Sequence, residues 1–339
     1  MWLEQLWFVL YVMIIGGYIV LDGFDLGVGM LGPIVGRSDR DKRVLLNSIG
    51  PVWDGNEVWL VLGGGALFAA FPLVYASLFS GFYLAMMLVL LVLILRTVAI
   101  EFRSKRESER WRSTWDWFFT ISSLGITVLL GVALGNIIQG VPIDQDGNMD
   151  VDLVSLLNPY ALFVGITAVA MFCLHGGIFL TLKTEGELLD RVRALVPKLM
   201  VAFFALTTVL IVWTLLLDQP LTDRYFDRLW IGIFPALALA AVLFSWWQIR
   251  QGGYFVAFLG SGATIALLLA SVAAGLYPVL LPSSTDVAYD LTIENASSAE
   301  NTLQVMTVIA AIGIPFVLAY TAGVYYFFRG RVVLDDESY

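Results

Sequence analysis

The chain has 339 residues, 59% of them hydrophobic and 14% charged, with a formal net charge of −9 and a mean hydropathy of +0.83. Those values exclude an ordinary soluble domain and point to a polytopic membrane protein. Its single cysteine, Cys173, excludes an intramolecular disulfide.

A helix that spans a bilayer needs about 20 mostly apolar residues. Nine stretches qualify, at roughly 6–31, 51–73, 75–101, 115–139, 159–182, 197–217, 229–248, 254–277 and 304–328. No linker divides them, so the expectation is one all-α membrane domain over residues 1–339. The N-terminal "MWLEQLW" lacks a basic segment, so no cleavable signal peptide is expected.

The first span contains "YIVLDGFDLGVGML" at 18–31. An ionised carboxylate at bilayer depth costs about 2.5 kcal/mol or more, so such residues face a bundle interior, a partner or a wet route. Asp22 and Asp25 are three apart and share a helix face. The alternative for both is interfacial, near the helix end, and Asp22 is the better fit to it. The second span opens with "PVWDGNEVWLVLGGG" at 51–65. Asp54 suits a helix cap, with Glu57 in register three residues on. Consecutive antiparallel spans would gather Asp22, Asp25, Asp54 and Glu57 at one depth.

Residues 58 to 95 carry no charge. As one straight helix they would extend about 57 Å, against a hydrocarbon core of about 30 Å. The chain must turn back, and Pro72 is the natural break. The third span ends at Arg96 and Glu101, at the depth of the carboxylates, which makes Arg96 a candidate counter-ion for Asp25 or Asp54. Crowded carboxylates with few cations suit a proton route. Gly23 and Gly27, then Gly131 and Gly135, have the spacing of close helix crossings. His175, the only histidine, is open to three roles: a haem ligand, a member of a proton route, or a hydrogen-bond partner of a backbone carbonyl. No Walker loop, dinucleotide fingerprint, zinc spacing or covalent haem motif appears.

Of the 19 basic residues, 17 fall on one side of this alternation, and only Arg224 and Arg228 on the other. The positive-inside rule then gives an N-out, C-in topology. The outer loops are acidic, with Asp144, Asp146, Asp150 and Asp152, then Asp286, Asp290, Glu294 and Glu300. No nucleic-acid partner is expected.

Several long motifs resemble one family. "LDGFDLGVGML" at 21–31, "NSIGPVWDGNEVWL" at 47–60 and "GGGALFAAFPLVYASLFSGFY" at 63–83 are similar to subunit II of cytochrome bd-type quinol oxidases. So are "FRSKRESERWRSTWDW" at 102–117, "GNIIQGVP" at 135–142, "KTEGEL" at 183–188 and "LPSSTDVAYDLTIENASSAENTLQVM" at 281–306. The resemblance implies nine helices packed against a similarly folded subunit I in a bacterial or archaeal plasma membrane. It implies that subunit I carries two b-type haems, haem d and the quinol-oxidising loop, and that this chain binds no haem. The complex would oxidise quinol and reduce dioxygen to water with protons from the cytoplasm. Small accessory membrane subunits accompany some members, and some hold a structural quinone; no residue here decides either. Asp25 and Asp54 match acidic positions that the family links to proton delivery or haem-site integrity. Glu57 stands where some members have glutamine, and His175 where the family varies.

The site expected is therefore a proton route through Asp25, Asp54, Glu57, Arg96 and Glu101, with Asp22 peripheral. Its rivals are a purely structural scaffold and a secondary transporter, which would carry polar residues mid-span in both halves.

Overall fold

The computed structural model describes residues 2–149, 151–217 and 220–334. The chain runs through α1 (Trp2–Val35), α2 (Asp39–Ile49), α3 (Trp53–Ala70), α4 (Pro72–Gly81), α5 (Tyr83–Phe102) and α6 (Glu109–Gln139). It continues through α7 (Leu153–Leu156), α8 (Pro159–Lys183), α9 (Gly186–Leu216), α10 (Pro220–Asp227), α11 (Ile233–Arg250) and α12 (Tyr254–Leu276). A short hairpin, β1 (Val279–Leu281) and β2 (Leu291–Thr292), precedes α13 (Glu300–Phe327). Asp150 of the acidic outer loop lies outside the described residues, as do positions 218 and 219 of the link after α9.

Among the described residues, eight helices are long and apolar enough to cross a membrane: α1, α5, α6, α8, α9, α11, α12 and α13. The remaining expected stretch, 51–73, falls on α3, which is not among the helices apolar enough to cross. Its 18 residues include Asp54 and Glu57, and at about 27 Å it is slightly shorter than a hydrocarbon core.

The uncharged run breaks at Pro72 and then a second time. α3 ends against Phe71, at φ −134° and ψ 67°. Pro72 then opens α4, a position where a missing N–H goes unused. A further break at Phe82 releases α5. The reversal brings Arg96 within 3.3 Å of Glu57, residues that a straight helix would hold about 58 Å apart. Proline does not end every helix: α9 runs through Pro197 and starts at Gly186, eleven residues before the expected span.

α1 is the hub of the bundle, packed by α3, α6, α8 and α12. Its residues 22–31 are buried without interruption. Two of the glycine spacings mark true crossings. A Cβ on Gly27 would overlap the Phe172 carbonyl of α8, and one on Gly131 would lie 2.7 Å from the Gly165 Cα. Gly64 and Gly65, by contrast, face open space.

The basic loops meet at one end of the bundle, as the lopsided charge requires. Arg103 follows α5 and pairs with Asp39 at the start of α2, at 2.8 Å. Arg191 of α9 reaches Asp41 at 2.6 Å, and Lys183 at the end of α8 donates to the Phe328 carbonyl beyond α13. The opposite end is closed by the β1–β2 hairpin, with Val141 paired to Ser283.

Candidate functional site

The buried charges gather where α1, α3 and α5 meet. Asp22, Asp25 and Arg96 are all 0% exposed. Spacing on α1 explains how one helix serves two neighbours: residues three apart lie on one face but diverge by about 60°. Asp22 points to α5 and Asp25 to α3.

Arg96 grips Asp22 with two parallel hydrogen bonds. Its Nη2 donates to Oδ1 at 2.7 Å and its Nη1 to Oδ2 at 3.1 Å. Nη1 also donates to Oε2 of Glu57 at 3.3 Å. This fork geometry is the strongest form of Arg–carboxylate pairing. Asp25 takes no part in it. Its Oδ2 accepts from Asn56 Nδ2 at 2.7 Å. The same amide group donates to the Leu21 carbonyl at 3.1 Å, and Asn56 Oδ1 accepts from the Tyr325 hydroxyl at 2.9 Å. Because a tyrosine hydroxyl and a carboxylate bracket it, the Asn56 amide has only one orientation that satisfies both. The last helix, α13, thereby fixes a contact to the first. Among the described residues, three polar atoms at this site are buried without a hydrogen-bond partner: Asp25 Oδ1, Arg96 Nε and the Tyr18 hydroxyl.

Three carboxylates facing one guanidinium leave an excess of two negative charges, which a bound proton would halve. The arrangement can therefore hold and exchange a proton. Among the described residues, no group of three or more His, Cys, Asp or Glu side chains could hold a metal ion.

Several sequence expectations need correction. Asp22, expected at the interface, is wholly buried and is the principal partner of Arg96. Arg96 pairs with Asp22 and Glu57 rather than with Asp25 or Asp54. Asp54 does not cap α3; Val52 holds the cap position without a side-chain bond, and Asp54 is exposed on the first turn. It remains outside the buried cluster, exposed to the surroundings. Glu101 is half-buried near the end of α5, five residues beyond Arg96. Asn56 and Tyr325 were not anticipated. Asn56 sits inside a motif already singled out and was legible as a polar residue at the depth of the acids. Tyr325, in an aromatic helix end, gave no signal.

His175 lies on α8, 1% exposed, stacked on Phe258 at 4.6 Å between ring centres. Its Nε2 is 3.1 Å from the Val20 carbonyl, and its Nδ1 is 2.7 Å from the Ser261 hydroxyl. A carbonyl only accepts, so Nε2 carries the proton, and the one hydrogen of the Ser261 hydroxyl is shared between Nδ1 and the Phe258 carbonyl, 2.8 Å away. Both ring nitrogens are thus committed, which does not fit a haem ligand, and the carbonyl-bonded alternative describes this residue.

Comparison with known proteins finds one family along nearly the whole chain. The family model described as cytochrome bd terminal oxidase subunit II matches residues 3–328. The chain is 37% identical to the cytochrome bd-I ubiquinol oxidase subunit 2 of Escherichia coli K12, covering 98% of this chain and 96% of that one. It is 38% identical to the cytochrome bd ubiquinol oxidase subunit 2 of Bacillus subtilis, covering 97% of each. Its fold matches a chain of the bd oxidase from Geobacillus thermodenitrificans with a TM-score of 0.81, at 18% identity and over 97% of this chain and 99% of that one.

Proposed function

The chain belongs to the cytochrome bd terminal oxidase subunit II family and is a subunit of a quinol oxidase, and from that premise we propose that its own task is to carry protons inward from its basic end while bracing a haem-bearing subunit I. The basic end faces the cytoplasm in this reading, as the positive-inside rule assigns it. Asp25 is the proton-holding group, with Glu57 and the exposed Asp54 on the approach from α3. Arg96 and Asp22 set the local field and hold α1 against α5. The haems lie in the partner, and quinol and dioxygen are substrates of the whole complex.

One observation carries the reading: Asp25 is fully buried with one oxygen unpartnered, while the cluster around it holds three acids and a single base. A scaffold has no need of that imbalance, since Asp22 and Arg96 alone would pin the helices. A transporter would need polar mid-span groups in the later helices as well. Among the described residues of α11, α12 and α13, the only ionisable groups of formal charge are Arg250 and Glu300, at the two helix ends.

The test is Asp25→Asn in the assembled oxidase. Asparagine keeps an acceptor for Asn56 but cannot carry the proton. Oxygen consumption should fall about tenfold or more, equivalent to at least about 1.4 kcal/mol on the limiting barrier, with the haem spectrum unchanged. An undiminished rate with the full haem complement overturns the proposal. Loss of haem assigns Asp25 a structural role instead.

A further inference from the structure

The reading above puts Glu57 and Asp54 on one approach to Asp25, and a second seam in the bundle offers water at the basic end another. It lies between α1 and α6, which pack together. Asp22, Asp25, Gly29 and Gly32 recur at intervals of three and four, so they form one stripe along α1, which Gly36 continues just past the helix end. At its lower end the stripe opens into a cavity of about 210 Å³, lined by Gly32, Gly36, Thr120 and the ion pair Lys42–Asp116 among others. That pair is 3.0 Å long, with side chains 32% and 18% exposed, so the cavity mouth is wet.

Between cavity and carboxylate stand two hydroxyls of α6. Pro33 lies inside α1 and has no N–H to give the carbonyl four residues back, which is that of Gly29. The Thr120 hydroxyl donates to that freed carbonyl at 3.0 Å. One turn deeper, Ser123 is 0% exposed and its Oγ has no hydrogen-bond partner among the described residues. That oxygen is pressed against the bare Cα of Gly29, where any Cβ would overlap it. Its neighbour Ser122 shows the ordinary alternative, donating to the Phe118 carbonyl of its own helix at 2.7 Å.

Two buried oxygens without partners, Ser123 Oγ and Asp25 Oδ1, therefore border one stripe of α1. Asp25 and Gly29 are four residues apart, a rise of about 6 Å, which one bridging water spans with two ordinary hydrogen bonds. A polar recess with unpaired groups is where buried water is stable, whereas an apolar one stays dry.

We propose that water enters along the α1/α6 seam and that Thr120 and Ser123 relay protons from the Lys42–Asp116 mouth to Asp25. Each hydroxyl or water accepts a proton on one side and releases one on the other, so no net charge stays in the seam. The inference rests on Asp25 being the proton-holding group.

The experiment uses the assembled oxidase carrying Thr120→Val with Ser123→Ala, which removes both hydroxyls at nearly constant volume. Oxygen consumption should fall about tenfold, the haem spectrum should be unchanged, and the ratio of rates in H2O and D2O should rise as proton delivery becomes limiting. Thr120→Ser with Ser123 unchanged keeps both hydroxyls and should preserve most of the rate. A double variant with the full rate and an unaltered isotope ratio overturns the seam. If Asp25→Asn is slow while that double variant is not, the seam fails and the role of Asp25 stands. If Asp25→Asn is also fast, the role of Asp25 itself fails. A slow double variant that has lost haem, or whose isotope ratio is unaltered, counts against the relay as well, because it marks a packing role.

Discussion

Arg96 and Arg103 stand seven residues apart in the same stretch of chain and invite comparison. Their side chains are 0% and 1% exposed. Each binds two carboxylates from other elements: Arg96 takes Asp22 and Glu57, and Arg103 takes Asp39 at 2.8 Å and Asp116 at 2.5 Å. Each also keeps one nitrogen without a partner, Nε in Arg96 and Nη1 in Arg103. The surroundings differ. Around Arg103, the two carboxylates also meet Arg112 and Lys42, so cations outnumber anions, and Asp39 is 45% exposed. Around Arg96, a third acid, Asp25, has no cation of its own. The same pairing thus fastens loops at the rim and leaves surplus negative charge inside the bundle.

The largest effect expected is that of Arg96→Leu. It leaves Asp22 buried without a counter-ion, and loss of one partner from a buried pair costs about 3–5 kcal/mol. The yield of assembled complex and its melting temperature would report it. Arg103→Leu should cost less, about 1–2 kcal/mol, because Arg112, Lys42 and water remain for its carboxylates. Equal losses from the two variants would break the contrast between interior and rim.

Asp25→Asn sharpens the same contrast from the other side. It removes one of the two surplus negative charges and keeps the hydrogen bond to Asn56, so the melting temperature should hold or rise while turnover falls. A large drop in melting temperature would show that Asp25 is needed for packing.

The smallest effects belong to the rim. Asp39→Asn breaks exposed pairs worth about 0.2–1 kcal/mol, and added salt should shrink the difference further. Burial opposes ionisation of Asp39, yet Arg103, Arg112 and Arg43 together hold its carboxyl below its ordinary value. Because the folded value is the lower one, its contribution is complete above the ordinary carboxylate range. It is lost as pH falls through that range toward the folded value. Melting curves between neutral and acidic pH should therefore converge for wild type and Asp39→Asn as the pH drops. Curves that diverge on acidification would contradict the assignment.

How much of this was written in the sequence depends on the kind of question. Helix α13 was legible as a span from its apolar run, but Tyr325 had no mark that it would reach Asn56. Asp22 and Asp25 were legible as unusual, yet their ranking came out reversed with respect to the arginine. A pair separated by 74 positions, such as Asp22 and Arg96, leaves no periodic trace. Ser123 looks like any serine of a membrane helix until Gly29 is seen against it.

Sequence alone determined the class of protein, the family, the apolar stretches that become the eight long helices, and the end of the bundle at which basic loops gather. Those properties follow from hydrophobicity and rise per residue, which are local sums along the chain. Tertiary structure decided which carboxylate meets which cation, which oxygen is left unpaired and where a hydroxyl replaces a missing backbone donor. These depend on how each helix is rotated about its own axis and on which neighbour it touches. Rotation and neighbour are fixed by packing at contacts such as Gly27 against α8, where atoms distant in sequence exclude one another.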